Sequence, residues 1–249
     1  MTFLDKFLAK QGKYSPSGMF SFGHFLLLIT TVICVIAALK RSAHFSVEKV
    51  RQIIRSMCII LWILEFCKII FKFTVDKTGN QPGTWVPLYY CSIALFALIL
   101  SGYAKGYARH IGDVFLATGS IVGGLCFLVY PSSSLLLYPW QHFMCIHSFL
   151  YHGCMVYIGV MMNRLHVIDL SYNDFAVYAL YVGFFCILAL LVNIHTGSNL
   201  MFISKPFTGT FLESFYRVLY RAYTPVLILA QMSLPFIAIM FLLKHLPQL

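Results

Sequence analysis

Hydrophobic positions in this chain come in long unbroken runs, separated by short polar connectors. Seven such runs cover residues 20–39, 53–74, 86–103, 112–130, 142–162, 174–195 and 224–243. Each approaches the about 20 residues that a helix needs to cross a bilayer. The connectors are short, as in helical hairpins. This pattern predicts an all-α polytopic membrane protein of about seven transmembrane helices in one bundle, with residues 1–249 as a single integral membrane domain. The ten-residue alternating segments of a membrane β-barrel do not occur.

Two connectors carry patterns of their own. In 210–223, Phe211, Phe215, Val218 and Ala222 share one helical face, and Glu213, Arg217 and Arg221 lie opposite. That arrangement predicts a helix lying in the membrane interface before the last span, as a gate for lipid or as a surface brace. The turn sequence 78–83 is followed by Trp85, Tyr89 and Tyr90 at the expected interfacial level. Connector 131–141 carries no charge, and its Tyr138-Pro139-Trp140 fits an interfacial turn.

Composition narrows the class further. The chain is 60% hydrophobic and 10% charged, against about 25% charged in a soluble domain. The net charge of +10 is spread over connectors and forms no single basic stripe, which argues against nucleic acid and for anionic headgroups. Lys and Arg totals on the two sides barely differ. The dense first connector, with Lys40, Arg41, Lys49, Arg51 and Arg55, favours an external N-terminus and a cytoplasmic C-terminus. All eight cysteines lie within apolar runs without a CxxC spacing, so a disulfide framework is not expected. The polar start leads into a run long enough to span, so no cleavable signal is expected.

Candidate chemistry concentrates in 141–162, an apolar run that carries His142, His147 and His152. Ionisable groups inside a membrane helix are costly and mark functional sites by default. The partner with complementary chemistry is Cys91, in the earlier run VPLYYCSIALFAL. A thiol becomes a nucleophile when a base takes its proton, and a neutral histidine can do so and later protonate a leaving alkoxide. His147 and His152 are five residues apart and point about 140° away from each other on a regular helix, so spacing alone does not choose between them. His142, Cys145, His147 and His152 surround the helix and do not share a face, so no metal site is expected. Glu65 and Lys68 are neighbours on one helix face and read either as a mutually neutralising pair or as a lipid-headgroup contact. Asn193 and Asn199 flank Gly197 and read either as structural glue or as site residues.

Three blocks carry a resemblance. VPLYYCSIALF at 86–96, HSFLYHG at 147–153 and the spaced set Asn193, Asn199, Met201, Phe202 and Pro206 occur in order. They resemble the YwaF-type integral membrane proteins, a family that includes the transmembrane protein 164 lipid acyltransferases of animals. The resemblance implies a CoA-independent transacylase moving a fatty acyl chain between phospholipid and lysophospholipid in the bilayer, without a cofactor. By the same resemblance Cys91 is the nucleophile and His152, or else His147, the base. Asn193, Asn199, Tyr89, Ser92 and Ser148 would bind substrate or stabilise the oxyanion. Tyr89 stands where relatives often carry His, and the Gly-Pro-Trp-Pro-type block that often follows the Asn motif is missing. A lipid hydrolase would use the same chemistry with water as acceptor. The competing class is a small transporter or lipid-binding protein with an intramembrane polar pocket.

Overall fold

The computed structural model describes residues 3–206 and 211–245. Among these residues it is entirely helical, without a strand. In chain order the helices are α1 (Phe3–Phe7), α2 (Phe22–Arg41), α3 (Val47–Thr74), α4 (Ala94–Tyr103), α5 (Gly106–Ala117), α6 (Gly119–Val129), α7 (Ser132–Leu135), α8 (Phe143–Arg164), α9 (Phe175–Thr196), α10 (Phe211–Leu219) and α11 (Tyr223–His245). Five stretches are long and apolar enough to cross a membrane: Phe22–Arg41, Gly106–Val129, Phe143–Arg164, Tyr172–Thr196 and Leu212–His245. The protein is therefore a multi-pass membrane protein, with two of the seven expected spans departing from the simple pattern.

The first departure is α3, whose 28 residues exceed a span while Arg51, Arg55, Glu65, Lys68 and Lys72 interrupt its apolar character. Each charge finds a partner. Arg51 grips the Asp113 carboxylate of α5 with both terminal nitrogens, at 2.5 and 2.7 Å, and Arg55 Nε donates to the Gly102 carbonyl at 2.7 Å. The second departure concerns the expected helix at 86–103. Only the ten residues of α4 are regular, and the segment before them, which contains Pro87, runs as turns. The expected 112–130 helix begins earlier, at Gly106, and breaks at Thr118, whose backbone (φ −126°, ψ −80°) separates α5 from α6.

Helix ends follow local chemistry. Ser21 and Ser46 cap α2 and α3 by accepting backbone N–H bonds from His24 and Lys49, each at 3.3 Å. Gly197, at φ +69°, ends α9 in the left-handed conformation that its missing Cβ allows. Tyr220 (φ +41°) puts a kink between α10 and α11. Phe215 and Val218 are exposed on α10, while Arg217 faces Glu213 at 3.6 Å. Thr210 and the side chain of Phe211 lie outside the described residues.

Helix α8 is the centre of the packing, against α2, α3, α5, α6 and α7. Glycines let α5 and α6 approach α8 closely. A Cβ on Gly124 would stand 2.8 Å from the His152 carbonyl oxygen, and one on Gly159 would stand 2.6 Å from that of Leu116. The outer faces of α2, α9 and α11 expose Ile29, Ile33, Leu180, Phe184, Ile187 and Phe241. Apolar surface of that extent belongs in contact with lipid.

The N-terminal segment is laced to the end of the bundle where α8 begins. The Ser17 and Gly18 amides donate to Tyr138 and Leu135, and His142 Nε2 donates to the Ala9 carbonyl at 2.8 Å. Beside this seam, Asp76 takes Lys72 Nζ at 2.7 Å, the Tyr138 hydroxyl and the Gln11 amide at 2.9 Å. Burial by itself would raise the Asp76 pKa. The hydrogen bonds from Lys72, Tyr138 and Gln11 outweigh it and hold that carboxyl below its ordinary value.

Candidate functional site

The three histidines of α8 fall into three different states. His142 is fully used: its Nδ1 accepts the Met144 amide at 3.0 Å as the helix cap, and its Nε2 holds Ala9. His152 is half used. Its Nδ1 lies 2.6 Å from the Ser148 carbonyl oxygen. A carbonyl can only accept, so Nδ1 carries the proton and Nε2 of the neutral ring is a bare lone pair, buried and without a partner. Neither ring nitrogen of His147 has a partner, and both are buried. Phe127 stacks on the His152 ring at 3.7 Å and fixes its plane.

Cys91 lies in the turn just before α4, not one turn inside a helix as the sequence suggests. The turn is held from two sides. Tyr151 of α8 donates its hydroxyl to the Cys91 carbonyl at 3.1 Å, and Tyr181 of α9 donates to the Ile93 carbonyl at 2.8 Å. Cys91 as a whole residue is partly exposed. Tyr89 is committed elsewhere: its hydroxyl donates to the Gly83 carbonyl at 2.8 Å and its ring meets Phe202. The Ser148 hydroxyl bonds back to the Met144 carbonyl, so Ser148 serves His152 through its own carbonyl.

Helix α3, which packs against both α4 and α8, carries the charged pair. Lys68 Nζ is 2.5 Å from Glu65 Oε1, and both side chains are largely buried. The neutralising pair expected from sequence is thus formed. It also has a location that sequence did not reveal, because Lys68 is within electrostatic reach of Cys91, His147 and His152. By the helical rise Lys68 is about 9 Å from the α3 end at Thr74, and His147 and His152 are about 6 and 14 Å into α8. Lys68 and His147 thus lie toward one end of the bundle, and His152 lies near the middle of α8.

Asn193 and Asn199 are spent on the backbone of the loop they begin. Asn193 binds Leu200 N and O and the Ser204 hydroxyl, and Asn199 binds the Ser204 and Lys205 amides and the Lys205 carbonyl. The loop in turn meets the segment before Cys91, where the Gly83 amide donates to Ser198 Oγ at 3.1 Å. As they stand, these amides fix a loop that buttresses the Cys91 segment; both Nδ2 hydrogens of Asn193 are taken, while Asn199 Nδ2 donates to the Lys205 carbonyl alone.

No hydrogen bond joins Cys91 Sγ to either histidine, since the nitrogens that could accept it are unpartnered. No group of three or more His, Cys, Asp or Glu side chains is arranged to hold a metal among the described residues. Tyr151 is flanked by His147 at 6.1 Å and His152 at 5.3 Å between ring centroids, and its hydroxyl reaches the Cys91 turn. Sequence reading missed Tyr151 and Tyr181. Their hydroxyls sit in apolar runs where any tyrosine looks like core, and only the fold reveals which carbonyls they reach.

No curated protein matches this chain, and no solved structure does. A family model does match, over residues 19–244, a range that includes Cys91, the α3 ion pair, the α8 histidines and the Asn loop; the chain belongs to the TMEM164 family.

Proposed function

We propose that the protein is a membrane-embedded phospholipid acyltransferase, a CoA-independent transacylase in which Cys91 is the nucleophile and His152 the base. The observation that carries this reading is the tautomer of His152: its Nδ1–H is tied to Ser148, which leaves a buried, unpartnered Nε2 on the helix whose Tyr151 holds the Cys91 turn.

In this mechanism His152 Nε2 takes the Cys91 proton and the thiolate attacks the carbonyl carbon of a phospholipid acyl ester. The tetrahedral adduct collapses as the C–O bond breaks, and the proton on Nε2 passes to the departing lysophospholipid alkoxide. The acyl chain is then a thioester on Cys91. A second lysophospholipid gives its hydroxyl proton to Nε2 and attacks the thioester, and the thiol re-forms with that proton. Thiol and imidazole must come into hydrogen-bond contact when lipid is bound; catalytic contacts are commonly longer before substrate arrives. Asn193 and Asn199 act by position, through the loop that supports the Cys91 segment.

The competing reading is a lipid-binding protein or transporter that uses the same polar pocket without chemistry. The missing bond between Cys91 and either histidine favours it. Lipid mass spectrometry on the purified chain, given diacyl- and lysophospholipid with distinguishable chains, separates the two. The transacylase reading expects acyl exchange that stops in Cys91→Ser and in His152→Ala but persists in His147→Ala at reduced rate. Release of free fatty acid in place of exchange would identify a hydrolase. A folded, lipid-loaded protein that moves no acyl chain would leave binding or transport.

A further inference from the structure

The other end of α3 holds a second polar feature, separate from the Cys91 cluster. Arg51 and Lys68 are 17 positions apart on α3, which the helical rise converts to about 26 Å. Here Val47, Glu48, Arg51, Gln52, Arg55 and Arg109 line an open cavity of about 430 Å³. That volume falls in the range of small-ligand sites, about 300–1,000 Å³.

The three arginines differ in what they have left to give. Arg51 is spent, with both terminal nitrogens on Asp113 and one also at 3.0 Å from Ser101 Oγ. Arg55 and Arg109 are anchored only through Nε, which donates to the carbonyls of Gly102 at 2.7 Å and of Ala104 at 2.9 Å. Anchoring by Nε fixes the plane of a guanidinium and leaves its terminal nitrogens for another acceptor. Two such forks at one cavity suit an anion with several oxygens in tetrahedral array, because guanidinium groups bind phosphate in bidentate fashion. Glu48 on the wall subtracts one charge and Asp113 cancels Arg51. The balance stays positive, and Lys40 and Arg41 at the end of α2, Lys49 at the start of α3, Lys105 between α4 and α5, and Arg164 at the end of α8 lie at this same end of the bundle.

We infer that this cavity is a phosphate-binding site, with Arg55 and Arg109 as its ligands and Arg51 as the brace that holds α3 against α5. The phosphate comes either from a lipid headgroup at the membrane surface or from free phosphate. The cavity exceeds the size of a bare phosphate ion, as a headgroup requires. The site is independent of acyl transfer and stands whether or not Cys91 is a nucleophile.

Native mass spectrometry of the full chain in detergent tests this, with phosphatidic acid, diacylglycerol and inorganic phosphate as separate probes. Wild type should retain phosphatidic acid and discard diacylglycerol. The double variant Arg55→Gln/Arg109→Gln should lose about tenfold or more in apparent affinity, whereas Lys40→Gln/Lys105→Gln, with the same charge removed on the same end, should lose little. If the double variant unfolds, Arg109→Gln alone serves, since its guanidinium is tied only to Ala104. Competition by inorganic phosphate would identify free phosphate as sufficient; its failure alongside retained phosphatidic acid would identify the lipid headgroup. Equal loss in the two double variants, or retention of diacylglycerol as tight as that of phosphatidic acid, overturns the site.

Discussion

The Tyr151 hydroxyl donates to the carbonyl of Cys91 across 3.1 Å, which ties the turn that carries the thiol to the helix that carries the histidines. The position of the Cys91 turn is thereby tied to α8. This bond is a single adjustable contact between the two halves of the site.

Tyr151→Phe removes that bond, and the Cys91 carbonyl keeps the Ala94 amide at 3.1 Å. The cost to stability should be about 0.5–1.5 kcal/mol. Acyl exchange should fall by more than the stability loss explains, about tenfold or beyond, because a small misplacement of a reacting atom is expensive. Thermal unfolding and lipid exchange measured on the same preparation check this. Equal exchange rates in the variant and wild type would refute the tie.

Removal of one member of the α3 pair should be worse than removal of both. Lys68→Met leaves Glu65 buried and uncompensated, as Glu65→Gln does to Lys68, and each should cost about 3–5 kcal/mol. The double replacement should recover much of that stability. It should not recover acyl exchange if the Lys68 charge serves the thiol and histidines around it. Chemical unfolding of the three variants, read with exchange assays, separates folding from function.

Stability should fall as pH drops below the ordinary imidazole range, and His142 is one cause. Burial holds its pKa below the usual value, so the unfolded chain binds the proton more readily than the fold does. The contribution is present above about pH 6.5 and is lost as pH falls through the lowered folded value. Protonation would also remove the Nδ1 acceptor that caps α8 at Met144. Melting temperature across that window should decline less steeply in His142→Asn than in wild type. Asp76, also held low, gives a loss of the same sign in the more acidic carboxylate range.

Two glycines of α8 should respond differently to a methyl group. Gly159→Ala meets the rigid Leu116 carbonyl oxygen at 2.6 Å, while Gly153→Ala meets the Thr31 methyl, also at 2.6 Å, which can turn away. The first should cost about 1–3 kcal/mol and the second less. Melting temperatures in detergent decide it.

Much of this fold was legible from hydrophobic runs, because a membrane helix must be long and apolar whatever surrounds it. The runs that hold α2, α8, α9 and α11 translate directly into helices. The stretch at 86–103 does not, since a continuous apolar run says nothing about where the backbone turns once neighbouring tyrosines satisfy its carbonyls. Thr118 hides its break in a similar way, there with the Asn163 side-chain amide on the Ala117 carbonyl at 2.8 Å. At the site, Cys91, His147 and His152 were legible as costly groups in apolar surroundings. Their sorting was not, because the difference between a spent and a free imidazole depends on partners such as Ala9, Met144 and Ser148 that only the fold brings near. The two asparagines looked equally suited to site and scaffold, and their bonds lie with the loop.

The charges of α3 carry a consequence for how the chain is made. A charge in a nascent span disfavours insertion, most at the centre and less toward the end where Arg51 and Arg55 stand. Arg51 and Arg55 find their partners at Asp113 and Gly102, which emerge from the ribosome about 50–60 residues later at roughly 5–20 residues per second. For those seconds α3 is a reluctant span waiting at the insertion machinery. Its settlement in the bilayer, and with it the depth of Lys68, is therefore decided jointly with α4 and α5, as one unit of biogenesis.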